Sequence, residues 1–259
     1  MDLTEDRFHA LARSAPWRWR SLRFTVDPRR TGEPTVRAWV RKPGRLRVED
    51  FDGTVMHRTA DPDVAEPPAV DPDALDDHGL LADHPDRLPV YRFDFEPPMY
   101  QDYRWVAMLD PYELATGRDD DGAAVVGTEI LDLAAVEHHG RPAWQARLRP
   151  TRWYDPRCGC CPLLFSAESE AAENHEPAPG TVFADSYLVR LDTETGVCVY
   201  SEDLGGSSAG QGHDLVIEAV DEHLPDNLFG PLRTRRGVGP TAATAYGDDP
   251  TPRFTALPD

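Results

Sequence analysis

Lysine is almost missing from this chain: Lys42 stands alone among 27 basic residues, and 46 acidic residues bring the net charge to -19. With that balance and no basic stripe, a DNA or RNA backbone is repelled, which excludes nucleic acid as a partner. The preference for arginine fits GC-rich coding, which also inflates alanine, proline and aspartate, so none of those excesses is read as function. No apolar run approaches the roughly 18 to 20 residues of a membrane span. The opening MDLTEDRFHALARSAPW lacks a basic segment followed by an apolar one, so a cytoplasmic location is expected. Cysteine is scarce: Cys158, Cys160, Cys161 and Cys198 are too few to scaffold 259 residues with disulfides. No G-x-S-x-G elbow, H-E-x-x-H pair, phosphate loop or dinucleotide fingerprint occurs, and the expectation is a non-enzymatic protein without a required cofactor.

What is present is alternation. Asp2 or Thr4 can cap a first helix, with Phe8, Leu11, Ala12 and Ala15 on one side and Pro16 ending it. Strands follow in a row. Leu22, Phe24 and Val26 share a face, as do Val36, Ala38 and Val40, then Leu46 and Val48, with turns at Pro43-Gly44 and Asp52-Gly53. Residues 59–89 are rich in aspartate and proline and read as a long exposed excursion. VYRFDFE resumes the strand pattern, and YRWVAMLDPYELATG reads as short helices. Residues 128–137 read mainly as strand, with helix as the alternative. AWQARLRP, SYLVRLD, VCVYSEDL and HDLVIEAV alternate again, and 151–180 form a second insertion. The fold class expected is mostly β: a curved antiparallel sheet, an unclosed half-barrel, wrapped around the N-terminal helix and the short central helices. Residues 1–230 form one domain in this reading, and 231–259, rich in Gly, Pro and Thr, a loose tail.

Several stretches carry a family likeness: AWVRKPGRLRVED at 38–50, MLDPYELATG at 108–117, HHGRPAWQARLRP at 138–150, YLVRLDTETGVCVY at 187–200 and DEHLPDNLFG at 221–230. In this order they resemble the bacterial lipoprotein-carrier and sensor superfamily, the LolA-like and RseB-like fold, in its actinobacterial form. The resemblance implies an apolar cavity between the concave sheet and the helix near Trp105–Tyr112. Its lining would be Phe24, Val40, Phe93, Trp105, Met108, Leu109, Trp144 and Leu188. It implies a hydrophobic small molecule or a protein as partner. The sequence departs from the exported carriers in showing no lipobox cysteine or export signal.

Three functional readings follow: a binding protein for a lipid or other hydrophobic ligand, an interaction or regulatory module with a filled core, or a thiol-based metal or redox sensor. The third rests on DPRCGCCPLLF. Cys158 and Cys160 can converge on one zinc or copper ion, while Cys161 points away unless a tight turn at Gly159 recruits it. Cys198, His175 or His213 are candidates to complete the set. A disulfide and plain thiols remain the alternatives. His138 and His139 read as exposed turn residues, because neighbours on a strand face opposite ways. Asp94 and Glu96 read as a solvated strand face, Ser207-Ser208 as a hairpin loop, and Trp39 as either a partner anchor or a packed residue.

Overall fold

The computed structural model describes residues 2–30, 32–61, 64–81, 95–172 and 174–230. The proposed tail, Asp94 and Phe93 lie outside them, as does most of the VYRFDFE strand.

Helix α1 (Glu5–Ser14) is capped by Thr4, whose hydroxyl accepts from Arg7 N at 3.3 Å. Pro16 sits inside the short 3-10 turn Ala15–Trp17 that ends it. The chain then enters a meander of β1 (Ser21–Asp27), β2 (Val36–Arg41), β3 (Arg45–Glu49) and β4 (Val55–Ala60). After a long crossing come α2 (Tyr103–Leu109), the ribbon β5 (Gly117–Arg118) and β6 (Ala124–Val125), and a second meander. That meander is β7 (Thr128–His138), β8 (Arg141–Pro150), β9 (Ser186–Asp192), β10 (Cys198–Leu204) and β11 (Gly212–Val220). Helices α3 (Ala167–Ala172) and α4 (Asp226–Phe229) complete the described elements.

Nine strands form one antiparallel sheet in the order β4-β3-β2-β1-β11-β10-β9-β8-β7. The edges β4 and β7 do not pair with each other, so the sheet is unclosed, as expected. β1 and β11 join the two meanders, from Leu22 opposite Val220 to Asp27 opposite Asp214. The strand reading of residues 128–137 holds, because β7 pairs with β8 along its whole length.

The inward phase of each strand is apolar. Leu22, Phe24 and Val26 meet Val40, Ala38 and Val36 across the β1–β2 ladder, and all six are buried. Phe8, Ala10, Leu11 and Ala12 of α1 enter the same core. Each large side chain so buried is worth about 1.5–3 kcal/mol. The helix is enclosed more fully than its single apolar stripe predicts: every residue from Phe8 to Ser14 is buried. The reason is the end of the described excursion after β4, where Leu80 and Leu81 lie against the helix while residues 64–79 stay exposed or half-buried. Leu81 N donates to Ser14 Oγ at 2.9 Å, Arg13 donates to Leu81 O, and Leu80 is fully buried. Gly196, at φ +73°, lets the β9–β10 turn approach the same C-terminal end of α1; a Cβ there would stand 2.8 Å from Leu11 O.

The single lysine is structural. Lys42 is buried, donates from Nζ to Pro16 O at 2.7 Å and Trp19 O at 3.0 Å, and lies 3.4 Å from the centre of the Trp19 ring. It closes the exit of the 3-10 turn onto the start of the sheet. On the outer face, Trp39 is not a free anchor. It packs with Leu228 against Ala60, Leu224 and Phe229, held down by Arg47 Nη1 donating to Leu228 O at 3.0 Å.

Replacing Lys42 with Met strands two buried carbonyls and removes a cation–π contact. We expect a loss of about 2–4 kcal/mol in urea unfolding, only partly restored by Lys42→Arg, which cannot offer a compact ammonium.

Candidate functional site

The residues assigned to an apolar cavity are mostly brought together, but against each other. Phe24, Val40, Trp105, Met108, Leu109 and Trp144 all belong to the central core, and the Phe24 and Trp105 rings stand 5.5 Å apart. The recess lined by Trp105 and Met108 has about 40 Å³ of free space, room for little more than a water. Leu188 is a correction. The buried phase of β9 is Tyr187, Val189 and Leu191, so Leu188 points to the outer face, opposite Arg147 on one side and Glu202 on the other. Phe93 lies outside the described residues.

The cysteine loop is where reactive side chains converge. Cys158 Sγ stands 2.7 Å from Cys160 Sγ, and Cys160 Sγ 3.4 Å from Cys161 Sγ. All three sulfurs lie within 4.8 Å of one another. Cys161 therefore does not point away: a turn closed by Cys161 N donating to Cys158 O at 3.3 Å brings it back. Cys198 is elsewhere, fully buried in the sheet, its thiol pushed up to about 12 by burial. The Cys160 thiol is raised by its hydrogen bond with Cys158, and the Cys161 thiol is raised by burial first. All four cysteines are free thiols.

Glu113 holds this loop at both ends. Its buried carboxylate accepts from Arg157 N at 3.2 Å before the cysteines and from Leu163 N at 2.7 Å after them. Tyr154 Oη donates to it at 2.6 Å, and the Tyr154 phenol is raised well above its ordinary range by burial and then by that carboxylate. The Arg157 side chain, buried beside the loop, pairs with Glu96 and with Asp110 Oδ2 at 2.6 Å. Glu96 is thus part of a buried ion-pair cluster, not a solvated strand face. Sequence reasoning missed Glu113, which sits in the unremarkable run Tyr112-Glu113-Leu114; its only signal was a charge inside a stretch read as apolar helix.

His138, His139 and Asp214 form a second convergence. Both imidazoles reach Asp214 Oδ1, from His139 Nε2 at 2.8 Å and from His138 Nε2 at 3.4 Å. The alternation argument failed here because His139 occupies the turn at φ +48°, outside strand geometry, and its ring folds back over His138. His138 is buried, not exposed. The arrangement is a clasp, and its protons argue against a metal. Arg190 Nη1 donates to His138 Nδ1 at 3.2 Å, and a guanidinium only donates. The His138 proton therefore sits on Nε2, shared between Leu215 O at 3.1 Å and Asp214 Oδ1 at 3.4 Å, which leaves no lone pair there for an ion. Asp214 is held down to about 2, chiefly by its hydrogen bond from His138.

A third polar group is buried under α2. Arg104 Nη2 donates to Ser201 Oγ at 2.9 Å, Ser201 Oγ donates to His213 Nδ1 at 2.8 Å, and His213 Nε2 donates to Cys198 O at 2.7 Å. A serine–histidine contact can signal a nucleophile. Here the serine is 1% exposed, and burial first, then Arg104, keeps the imidazole from taking up a proton, so the chain is a fixed relay of donors.

No protein-family model and no curated protein matches this sequence. Among solved structures, the chain is similar to the crystal structure of MucB, with a TM-score of 0.29 and 12% identity, over 88% of this chain and 60% of that one. This chain thus spans about 60% of the length of the solved chain it matches. That is a distant relationship at most, and no function passes across it.

Burial holds His9 down to about 4 and His213 to about 3, and raises Asp203 to about 6. Unfolded histidine protonates near 6.5, so unfolding takes up protons below that pH and stability falls as pH drops toward 4. Asp203 acts in the opposite sense: its contribution is full below about 3.9 and lost as pH rises through 6, offsetting one histidine in that window. Asp214 stabilises above about 3.9 and loses its effect as pH falls toward 2. We expect the urea midpoint to fall from pH 6.5 to 5 and more steeply below 4. His9→Gln should flatten the first segment; an unaltered slope in that variant would remove His9 from the account.

Proposed function

We propose that this chain is a non-enzymatic binding protein whose working site is the Cys158–Cys161 loop, holding one soft metal ion through three thiolates. The observation that carries this is the convergence of Cys158, Cys160 and Cys161 sulfurs within 4.8 Å on a loop pinned at both ends by Glu113. Deprotonating three adjacent thiols without a cation would gather three negative charges, and burial and thiol hydrogen bonds already raise the Cys161 and Cys160 thiols. A thiophilic ion at about 2.3 Å from each sulfur replaces those protons and removes the repulsion. Thiolates select zinc or copper(I) over hard cations. Glu113, Tyr154 and the Arg157 ion pairs serve as the outer support that keeps the loop in a binding shape. The small recess at Trp105 and Met108, about 40 Å³, favours this loop over an apolar cavity as the place of binding among the described residues.

Reduced, metal-free protein titrated with zinc, and separately with copper(I), should take up one ion per chain by native mass spectrometry and gain thermal stability. Cys160→Ser, at the exposed position, should weaken uptake, and the triple serine variant should abolish it. Glu113→Gln should keep the three thiols and lose affinity about 10–100-fold. Unchanged uptake by the triple variant would sink the proposal. So would a denatured, unreduced sample with two reactive thiols instead of four, which would mean a disulfide.

A further inference from the structure

Arg104 borders a polar cleft. Arg104 is the second residue of α2 and is buried. Its Nη1 donates to Pro162 O at 2.7 Å and its Nη2 to Ser201 Oγ, both neutral acceptors. Its Nε has no acceptor, and among the described residues no carboxylate lies within ion-pair distance. The neighbouring Trp105 Nε1 is also buried without an acceptor. Burying an uncompensated charge costs several kcal/mol, so a guanidinium kept this way awaits a counter-ion.

An opening stands next to it. A cleft of about 360 Å³ is lined by Arg104, Arg30, Glu33, Asp203, Ser208 and Gln211. Gly212 forms part of its wall, where a Cβ would stand 1.9 Å from Ser201 O, so no side chain fits there. Arg30 is held only loosely, 3.9 Å from Glu33 and 3.7 Å from Asp102. Asp203 is 7% exposed and forms no side-chain hydrogen bond or ion pair among the described residues. Its carboxyl is raised to about 6 by burial, against the pull of Arg104 and Arg30.

Two guanidiniums and two carboxylates thus face one small cleft, and its net charge is zero. A simple anion would meet Asp203 and Glu33, and a simple cation would meet Arg104 and Arg30. A ligand carrying both charges meets neither repulsion. We propose that this cleft binds a small zwitterion of the amino-acid class, its carboxylate on Arg104 and Arg30 and its ammonium on Asp203. The volume suits a ligand of that size. The adjoining recess, walled by Tyr100, Trp105 and Met108, has only about 40 Å³ and limits the side chain to a small one.

The test uses the full chain with the twenty common amino acids one at a time, and with acetate and methylammonium as separated halves. Thermal shift and calorimetry are the readouts. Glycine, alanine or serine should raise the melting temperature and bind, while each half alone should bind at least about tenfold more weakly. Asp203→Asn should weaken binding about tenfold or more, and Arg104→Met should abolish it. Should Arg104→Met fail to fold, Ser208→Trp at the partly exposed rim fills the cleft and should abolish binding in a folded protein. No response to any amino acid would overturn the proposal. So would full binding of acetate alone, or binding that survives Ser208→Trp. Metal uptake at the cysteine loop is measured separately, so either site can fail without the other.

Discussion

The pairing of β1 with β11 is the contact on which the rest of the molecule depends. It ties the first strand to the last, Leu22 to Val220, and makes one sheet of two meanders that are otherwise local. Closing so long a loop costs entropy, but that cost grows only slowly with length, by about 0.6 kcal/mol per doubling. Against it stands the burial of Leu22, Phe24 and Val26 from one side and Leu215 and Ile217 from the other. The joined sheet gives α1 a surface to enter, and the helix in turn receives the end of the described excursion after β4 as its cover. A fold whose central contact is non-local should assemble slowly, since neither meander alone can enclose the helix.

The joining also sets the chemistry. α2 packs against β10, which puts Arg104 beside Ser201 and His213 and puts the chain after α2 beside the cysteine loop. Two buried arginines result, and they differ. Arg157 is matched by Glu96 and Asp110, so its burial is compensated within the protein. Arg104 is matched by a carbonyl and a hydroxyl, and the nearest acidic groups stay across a cleft. A matched pair is architecture; an unmatched one marks a place where the protein leaves a charge to be answered from outside.

Much of the sheet could be read from the sequence because its information is local. Alternation at 22–26, 36–40 and 143–148, with turn residues between, specifies hairpins without knowledge of distant contacts. Leu188 shows the limit of the same rule. The alternation was visible, but which phase faces inward depends on Tyr187, a large aromatic at the strand's start, and on the neighbouring strands. His138 and His139 failed for a different reason: a left-handed turn residue breaks the period that the argument assumed. The site residues outside the cysteines were the least legible. Glu113 and Arg104 lie in stretches whose apolar pattern invited a packing interpretation, and a single charge there has no local signature. What makes each matter is a partner more than forty residues away.

Arg104 and the cysteine loop also meet directly. Pro162, whose carbonyl accepts a hydrogen bond from Arg104 Nη1, follows Cys161 in the chain, so the guanidinium anchors the end of the thiol loop. Leu163 N, bound by Glu113, anchors the next residue. A guanidinium has five N–H donors, and Arg104 Nε is without a partner, so a ligand carboxylate at the cleft can be met while Nη1 stays on Pro162 O; the two sites then share one side chain and its charge. An ion that draws the three sulfurs together fixes Pro162 and so steadies the guanidinium. Whatever free energy links the two events acts equally in both directions, because coupling between binding sites is reciprocal. The coupling needs no large motion of the sheet. It needs only that one buried arginine touches both a backbone carbonyl of the loop and an open cleft, so that a shift of the side chain at one is felt at the other.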